Sequence, residues 1–222
     1  MYAAVMADFQ GSLLEFVDAD HADTATAIEP QPFGDGPDRT LLDHGAWIDV
    51  FRGWMRGADA LFEHLADVVG WQAERRQMYE RVVDVPRLLS FYDDGDELPH
   101  PALEAARAAL DRRYRSELGE AFRTAGLCYY RDGRDSVAWH GDRIGRGRQE
   151  DTMVAIVSVG APRALLLRPR FGSGETRRYE LGHGDLIVMG GSCQRTWDHA
   201  VPKTARAAGP RISIQFRPTG VR

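Results

Sequence analysis

Two histidines and one aspartate have the types and the spacing of a metal site. His140 and Asp142 lie two positions apart in the stretch Trp-His-Gly-Asp, directly after residues that favour a strand. Positions i and i+2 of a strand point to the same side, so this imidazole and this carboxylate would converge on one point. His199, further along the chain, can complete a set of two histidines and one carboxylate, the arrangement that binds Fe(II) in non-heme oxygenases. The three residues are therefore predicted to bind a divalent metal ion.

Two arginines follow the second of these histidines. Arg211 and Arg217 are the first and last residues of the run Arg-Ile-Ser-Ile-Gln-Phe-Arg. A His-x-Asp pair alone is a weak signal, but the series of His-x-Asp, a distant His and Arg-x5-Arg is much more specific. This series resembles the AlkB family of iron- and 2-oxoglutarate-dependent dioxygenases, which remove alkyl groups from nucleic-acid bases. The resemblance extends from Arg75 to Pro218, and the stretch from Leu127 to Phe216 carries most of it.

The resemblance implies a set of cofactors and the residues that bind them. His140, Asp142 and His199 would bind Fe(II), leaving coordination positions for the cosubstrate 2-oxoglutarate and for O2. The far carboxylate of 2-oxoglutarate requires a cation, and Arg211 is the candidate because a guanidinium donates two parallel hydrogen bonds to a carboxylate. Three more residues are expected around the cosubstrate: Tyr130, Ser213 and Arg217. For Arg217, an ion pair with Asp142 or another buried acid is the open alternative.

The resemblance also implies a substrate site. In the family, the segment that matches Gln77–Arg87 forms a lid over the substrate base, and Tyr79 is expected to stack on an extruded base. Trp139 is expected to lie in the wall beside the metal ligands. The other candidates for contact with the substrate are Met78, Arg81, Arg143 and Arg146.

Two positions depart from the family pattern. The family commonly has Asn-x-Tyr ahead of the His-x-Asp pair, whereas this chain has Cys128-Tyr129-Tyr130. A cysteine lacks the paired donor and acceptor of an amide. Ile144 stands where well-known members have an acidic residue near the target base. Base recognition is therefore expected to differ from that of those members.

A second His-x-Asp pair occurs at His183 and Asp185. Glycines flank this histidine on both sides, which favours a turn rather than a strand. A structural role is therefore predicted for His183.

Charge is distributed unevenly along the chain. The net charge is −5, but residues 1–127 hold 24 acidic and 12 basic side chains, whereas residues 128–222 hold 9 and 16. Such asymmetry can mark an electropositive face on an acidic body, although arginine-rich loops on a solvated surface would give the same counts. Two cysteines are too few for a disulfide framework, no signal-peptide pattern is evident, and no apolar run approaches the ~20 residues that span a bilayer. A cytoplasmic monomer that does not enter a membrane is expected.

The elements that must position these residues can be predicted from periodicity. Residues 1–40 are expected to form a mobile acidic arm, in which residues 28–37 hold no regular element, and residues 41–222 the dioxygenase domain. Helices are predicted at 58–69 and 101–117, and a strand-like piece at 39–50. Short strands are predicted at 126–130, 136–140, 153–159, 164–168, 176–180, 186–189, 195–199 and 212–216. This pattern is mainly β with flanking helices, and it predicts a double-stranded β-helix (jelly roll) with N-terminal helices and a lid.

The function predicted from these features is oxidative demethylation of N-alkylated bases in nucleic acid, with alkylated DNA as the expected partner. Conversion of 2-oxoglutarate and O2 to succinate and CO2 would accompany it. One alternative is the same chemistry on RNA, a protein side chain or a small molecule. A second alternative is a non-catalytic jelly-roll module that binds a metal.

Overall fold

The computed structural model describes residues 27–78, 81–142, 145–206 and 208–221, and antiparallel strands dominate this part of the chain. In chain order its first elements are β1 (Glu29–Pro30), β2 (Asp38–Leu41), β3 (Ala46–Phe51), β4 (Met55–Arg56), α1 (Ala58–Val68), β5 (Gln72–Met78), β6 (Arg81–Tyr92) and α2 (Pro101–Leu118). The elements that follow are β7 (Thr124–Tyr130), β8 (Val137–His140), β9 (Val154–Gly160), β10 (Arg163–Pro169), β11 (Arg177–Leu181), β12 (Asp185–Gly191), α3 (Cys193–Thr196), β13 (Trp197–Val201) and β14 (Arg211–Arg217).

Two antiparallel sheets pack against each other. The large sheet has the strand order β2-β3-β12-β9-β14-β7-β6-β5, and the small sheet has the order β11-β10-β13-β8. Ile156 and Ile187 of the large sheet join Leu165 and Leu167 of the small sheet in one buried apolar cluster. Because alternate residues of a strand face opposite sides, each strand can point its apolar residues between the two sheets and its other residues toward the opposite face. This double sheet is the jelly roll that the sequence predicts.

The two long helices cover the other face of the large sheet. Leu61 and Leu65 of α1 are fully buried in a cluster that also contains Ile212 and Ile214 of β14. The helix α2 begins where the Nδ1 atom of His100 accepts a hydrogen bond from the Ala102 N–H at 3.0 Å, and it ends before a left-handed glycine. These end signals, with apolar residues at helical spacing, explain why both helices were predicted to within two residues.

The part of the predicted N-terminal arm that the structure describes packs against the domain instead. β1 pairs with β4, although residues 28–37 were predicted to hold no regular element. The ring of Phe33 stacks on Trp54 with a centroid distance of 5.4 Å. β2 pairs with β3, and Arg39 of β2 forms an ion pair with the fully buried Asp49 at 2.6 Å. Proline-rich extended chain has no periodic signal, so only these contacts with distant residues place it. Residues 1–26 lie outside the described residues.

The predicted lid segment belongs to a long hairpin at the edge of the large sheet. β5 and β6 pair with each other, and the register shifts between Ala73 and Arg75. Pro86 lies opposite this irregularity. A proline is tolerated there because it has no N–H to donate to a regular ladder. The described part of the predicted lid segment is thus extended and paired as strands. Tyr79 lies outside the described residues.

The eight strands predicted for the second half are all present, with ends shifted by a few residues. One departs further from the prediction, because the stretch predicted as a strand from Arg195 begins inside α3 and becomes extended at Trp197. Among the described residues, no helix is both long enough and apolar enough to cross a membrane.

Candidate active site

His140 and His199 face each other on neighbouring strands of the small sheet. They are Cα partners in the pairing of β8 with β13, and their ring centroids are 4.2 Å apart. The register shifts beside this pair, because Val201 pairs with Val137 where a regular ladder would pair it with Ala138. β8 therefore has a bulge, with one extra residue between Val137 and His140, whose side chains both face inward. Strand pairing therefore brings together the two histidines that the sequence predicts as ligands.

Asp142 lies beyond the end of β8 and is held by side chains from other elements. Its backbone N–H donates to the Oε1 atom of Gln194 at 3.1 Å, and its Oδ2 atom accepts from the Nε atom of Arg217 at 2.6 Å. Burial alone would raise the pKa of the Asp142 carboxyl, but Arg217 and the two imidazoles lower this pKa to about 2. The carboxylate is therefore charged and ready to bind a cation.

The three side chains converge with one ligand atom each. These atoms all lie within 4.8 Å of one another, and the Nε2 atom of His140 is 3.7 Å from the Oδ1 atom of Asp142. The Nδ1 atom of His140 lies 2.9 Å from the carbonyl oxygen of Ala138. This hydrogen bond favours the tautomer in which Nδ1 carries the proton, and Nε2 is then free to bind a metal. Two imidazoles and one carboxylate are a donor set that fits Fe(II).

Arg211 supplies a buried cation on the inner face of β14. It is 2% exposed, and its Nε atom donates to the Oγ atom of Ser158 at 2.8 Å. Its Nη1 atom is buried and has no hydrogen-bond partner in the described part of the chain. A buried guanidinium with an unused donor is unfavourable unless an anion completes it. The arrangement thus fits the carboxylate end of an acid such as 2-oxoglutarate.

Tyr130 lies beside this arginine. Its ring centroid is 5.3 Å from the Cζ atom of Arg211 and 5.6 Å from the Cζ atom of Arg163. Burial raises the pKa of the Tyr130 hydroxyl to about 12, against the opposing effect of Arg211 and two other arginines. The hydroxyl is therefore protonated near neutral pH and can act as a hydrogen-bond donor. The structure places Tyr130 next to Arg211, as the prediction for the cosubstrate shell requires.

The remaining inner side chains of β14 form a chain of hydrogen bonds. Ser213 lies opposite Cys128 of β7, and the Nε2 atom of Gln215 lies 3.1 Å from the Ser213 Oγ atom and 3.2 Å from the Cys128 Sγ atom. The Nη2 atom of Arg217 donates to the Oε1 atom of Gln215 at 2.6 Å. Arg217 therefore contacts Asp142, the alternative that the sequence left open, as well as Gln215.

Three side chains of this site were not predicted from the sequence. Gln215 lies on β14, whose alternation of polar and apolar residues could have indicated it. Ser158 lies on β9, which is apolar and buried along most of its length, so no alternation marks its inward face. Gln194 lies in the four-residue helix α3, where no periodicity is available to indicate which way a side chain points.

Of the predicted substrate contacts, only Trp139 has a side chain that the structure describes. Trp139 does not line the wall beside the metal ligands, because Arg168 stacks on its ring at 4.3 Å. Arg168 pairs across the small sheet with Asp198, whereas the inward-facing Leu167 pairs with His199. Trp139 is therefore on the outer face of the small sheet, as strand alternation requires of the residue next to the inward-facing His140. Residues 143 and 144, with Arg143 and Ile144, lie outside the described residues, as do the side chains of Met78, Arg81 and Arg146.

His183 joins three elements outside the metal site. Its Nδ1 atom accepts from the Gly160 N–H at 2.9 Å, and its Nε2 atom lies 3.2 Å from the Oδ1 atom of Asp59. The turn between β11 and β12 is thereby tied to β9 and to the start of α1, which agrees with the structural role predicted for this histidine.

We therefore expect His183→Ala to affect stability rather than chemistry. The loss of this solvent-exposed hydrogen bond should lower the free energy of unfolding by about 1 kcal/mol and leave succinate formation within about twofold of the unaltered protein. Chemical denaturation and a turnover assay at a permissive temperature measure the two effects. A loss of turnover in folded protein would contradict the structural role.

Comparisons with known proteins agree with this geometry. A sequence model of the 2OG-Fe(II) oxygenase superfamily matches residues 90–217, which include all three candidate ligands, Arg211 and Arg217. The chain is similar to alpha-ketoglutarate-dependent dioxygenase alkB homolog 3 of Homo sapiens, with 28% identity over 200 residues that cover 82% of this chain and 66% of the relative. It is also similar to DNA oxidative demethylase ALKBH2 of Arabidopsis thaliana, with 33% identity over 132 residues that cover 49% of this chain and 41% of the relative. The chain thus spans less than two thirds of the length of either relative.

The solved structure of OsALKBH1 has a similar fold. It superposes with a TM-score of 0.54 and 13% sequence identity, covering 81% of this chain and 100% of that one. At this identity the likeness concerns the fold alone, and it supports the jelly roll described above.

Proposed function

The chain belongs to the 2OG-Fe(II) oxygenase superfamily, and on this premise we propose that it oxidatively demethylates N-alkylated bases in nucleic acid. The observation that carries the proposal is the convergence of His140, Asp142 and His199 in the same sandwich as the buried, incompletely bonded Arg211. A metal-binding module without catalysis has no use for a buried guanidinium whose Nη1 atom lacks a partner among the described residues. A 2-oxo dicarboxylate needs both a metal and a cation.

Each residue of the site has a definite task in this proposal. His140, Asp142 and His199 hold the iron, Arg211 binds the far carboxylate of 2-oxoglutarate, and Arg217 fixes the orientation of Asp142. The packed inner faces of the two sheets bury the Arg211 side of this space, whereas the metal side is open. When bound, iron, 2-oxoglutarate and O2 supply the oxidation of an N-methyl group to N-hydroxymethyl, with release of succinate and CO2. The hydroxymethyl product then loses formaldehyde. A neutral ring nitrogen takes the proton of the hydroxyl group, whereas a cationic ring nitrogen becomes neutral and that proton is released.

Nucleic acid is the proposed partner, and alkylated DNA the proposed substrate. The names of the two relatives point to alkB-type dioxygenases and to DNA demethylation. The second half of the chain is rich in arginine, which binds phosphates with paired hydrogen bonds. The side chain of His140 is 41% exposed, so the metal site opens to solvent on this side. A base turned out of its stack could reach it there.

The test compares substrates that share one methylated base. The protein is incubated with Fe(II), 2-oxoglutarate and a methylated DNA oligonucleotide, an RNA oligonucleotide of the same sequence, or the free methylated nucleoside, and succinate and formaldehyde are measured. We expect formaldehyde from the DNA oligonucleotide to exceed that from the nucleoside, and affinity for the oligonucleotide to fall as salt rises. Equal turnover of nucleoside and oligonucleotide would instead indicate a small-molecule substrate. Metal binding without succinate would indicate a non-catalytic module.

A further inference from the structure

Gln215 lies between the two parts of the candidate site. It is on the inner face of β14, two residues from Ser213 on one side and from Arg217 on the other. Its Oε1 atom accepts from the Nη2 atom of Arg217 at 2.6 Å, and Arg217 in turn binds Asp142. The oxygen of this carboxamide is thus one hydrogen-bonded side chain away from a metal ligand.

The nitrogen of the same carboxamide faces Ser213, which is expected near the cosubstrate, and Cys128. It lies 3.1 Å from the Oγ atom of Ser213 and 3.2 Å from the Sγ atom of Cys128. Sulfur is a weak acceptor, whereas a carboxylate binds an N–H more strongly. Exchange of the contact with Cys128 for one with a cosubstrate carboxylate is therefore favourable.

The strand opposite leaves room for this side chain. Gly126 of β7 is the Cα partner of Gln215. A Cβ atom at position 126 would lie 3.1 Å from the Nη1 atom of Arg217 and 3.7 Å from the Oε1 atom of Gln215. The φ angle of Gly126 is not in the left-handed region, so space and not backbone conformation favours glycine at this position. The space is used by Arg217 and Gln215.

We propose that Gln215 is a positioning residue with two separable tasks in the 2-oxoglutarate reaction. Its Oε1 atom holds Arg217 against Asp142, and its Nε2 atom donates an N–H to a carboxylate of 2-oxoglutarate. The donor in this part of the sheet is thus the amide of Gln215, because the neighbouring Cys128 has only a weak S–H donor. This inference rests on the proposed function, since it presupposes that 2-oxoglutarate binds here.

Two substitutions of similar length separate the tasks. Gln215→Glu keeps an oxygen for Arg217 but replaces the N–H with a charged oxygen, whereas Gln215→Met removes both contacts. Binding of Mn(II), and then of 2-oxoglutarate to the Mn(II) protein, is measured by calorimetry without turnover. We expect Gln215→Glu to bind Mn(II) within about twofold of the unaltered protein but 2-oxoglutarate about tenfold more weakly, because a repulsion replaces a hydrogen bond. Gln215→Met should weaken binding of 2-oxoglutarate by about fivefold and also weaken binding of Mn(II).

A rescue tests the role of the amide directly. Cys128 is the Cα partner of Ser213, so Cys128→Asn offers an amide from the opposite strand. It should restore most of the 2-oxoglutarate affinity of Gln215→Met and add little to the unaltered protein. Gln149→Met, at an exposed position, is the matched control and should change neither affinity. If a Gln215 variant fails to fold, Gly126→Ala takes its place in the test. The added Cβ atom crowds Arg217 and Gln215 without altering them, and it should weaken binding of both Mn(II) and 2-oxoglutarate.

The outcomes are distinct from those of the proposed function. Unchanged 2-oxoglutarate affinity in folded Gln215→Glu, or an equal gain from Cys128→Asn with and without Gln215, overturns the inference alone. A protein that binds Mn(II) and 2-oxoglutarate but releases no formaldehyde from any methylated substrate overturns the proposed function, and the effects of Gln215 on binding would still stand.

Discussion

Asp142→Ala is expected to abolish succinate formation and iron retention while the protein remains folded. The carboxylate is one of three ligand side chains that converge in the part of the chain that the structure describes, and its low pKa keeps it charged for the cation. The residue lies in a loop after β8 and not within a strand, so its removal disturbs no ladder of backbone hydrogen bonds. Iron content after gel filtration and succinate release measure the effect.

The controls separate ligand chemistry from packing. Asp142→Asn keeps the shape and an acceptor for Arg217 but loses the charge of the ligand, and it should lose turnover as well. His140→Ala and His199→Ala should behave like Asp142→Ala, whereas His183→Ala should not. Equal iron retention in Asp142→Ala and the unaltered protein would refute the metal site.

Arg211→Met is expected to raise the apparent KM for 2-oxoglutarate by about 30-fold or more, which corresponds to roughly 2–4 kcal/mol for the loss of a buried charge-assisted contact. The effect should appear in KM more than in kcat, because the far carboxylate does not take part in the oxidation. Arg211→Lys keeps the charge without the paired donors of the guanidinium, so its KM for 2-oxoglutarate should lie between those of Arg211→Met and the unaltered protein. An unchanged KM in Arg211→Met would contradict the assignment.

The stability of Arg211→Met provides an independent control. Without cosubstrate, Arg211 is a buried cation whose Nη1 atom has no partner in the described part of the chain, and burial lowers its pKa. An apolar side chain of similar length avoids that cost. The free energy of unfolding of the variant should therefore be equal to or greater than that of the unaltered protein. A marked loss of stability would indicate that Arg211 supports the fold and not the cosubstrate.

The sequence by itself determined the elements and the residue types of the site. Alternation in Arg-Ile-Ser-Ile-Gln-Phe-Arg places the arginines and Gln215 on one face of β14 and the apolar residues on the other. Helical spacing and end signals likewise located α1 and α2. These features are local, because they follow from the geometry of a few consecutive residues. For the same reason the ligand types and their order along the chain were sufficient to identify the family.

Only the tertiary structure decided how these residues meet. The strand that should have carried Asp142 ends at His140, and Gln194 and Arg217, from distant segments, place the carboxylate instead. A bulge against β13 lets Val137 and His140, three residues apart, both face the inside of the sandwich, which strand alternation alone would not allow. Pairing of β2 with β3 likewise fixes a segment that was predicted to be mobile. In each case the deciding contact joins residues far apart in the chain, and a local pattern contains no information about such a partner.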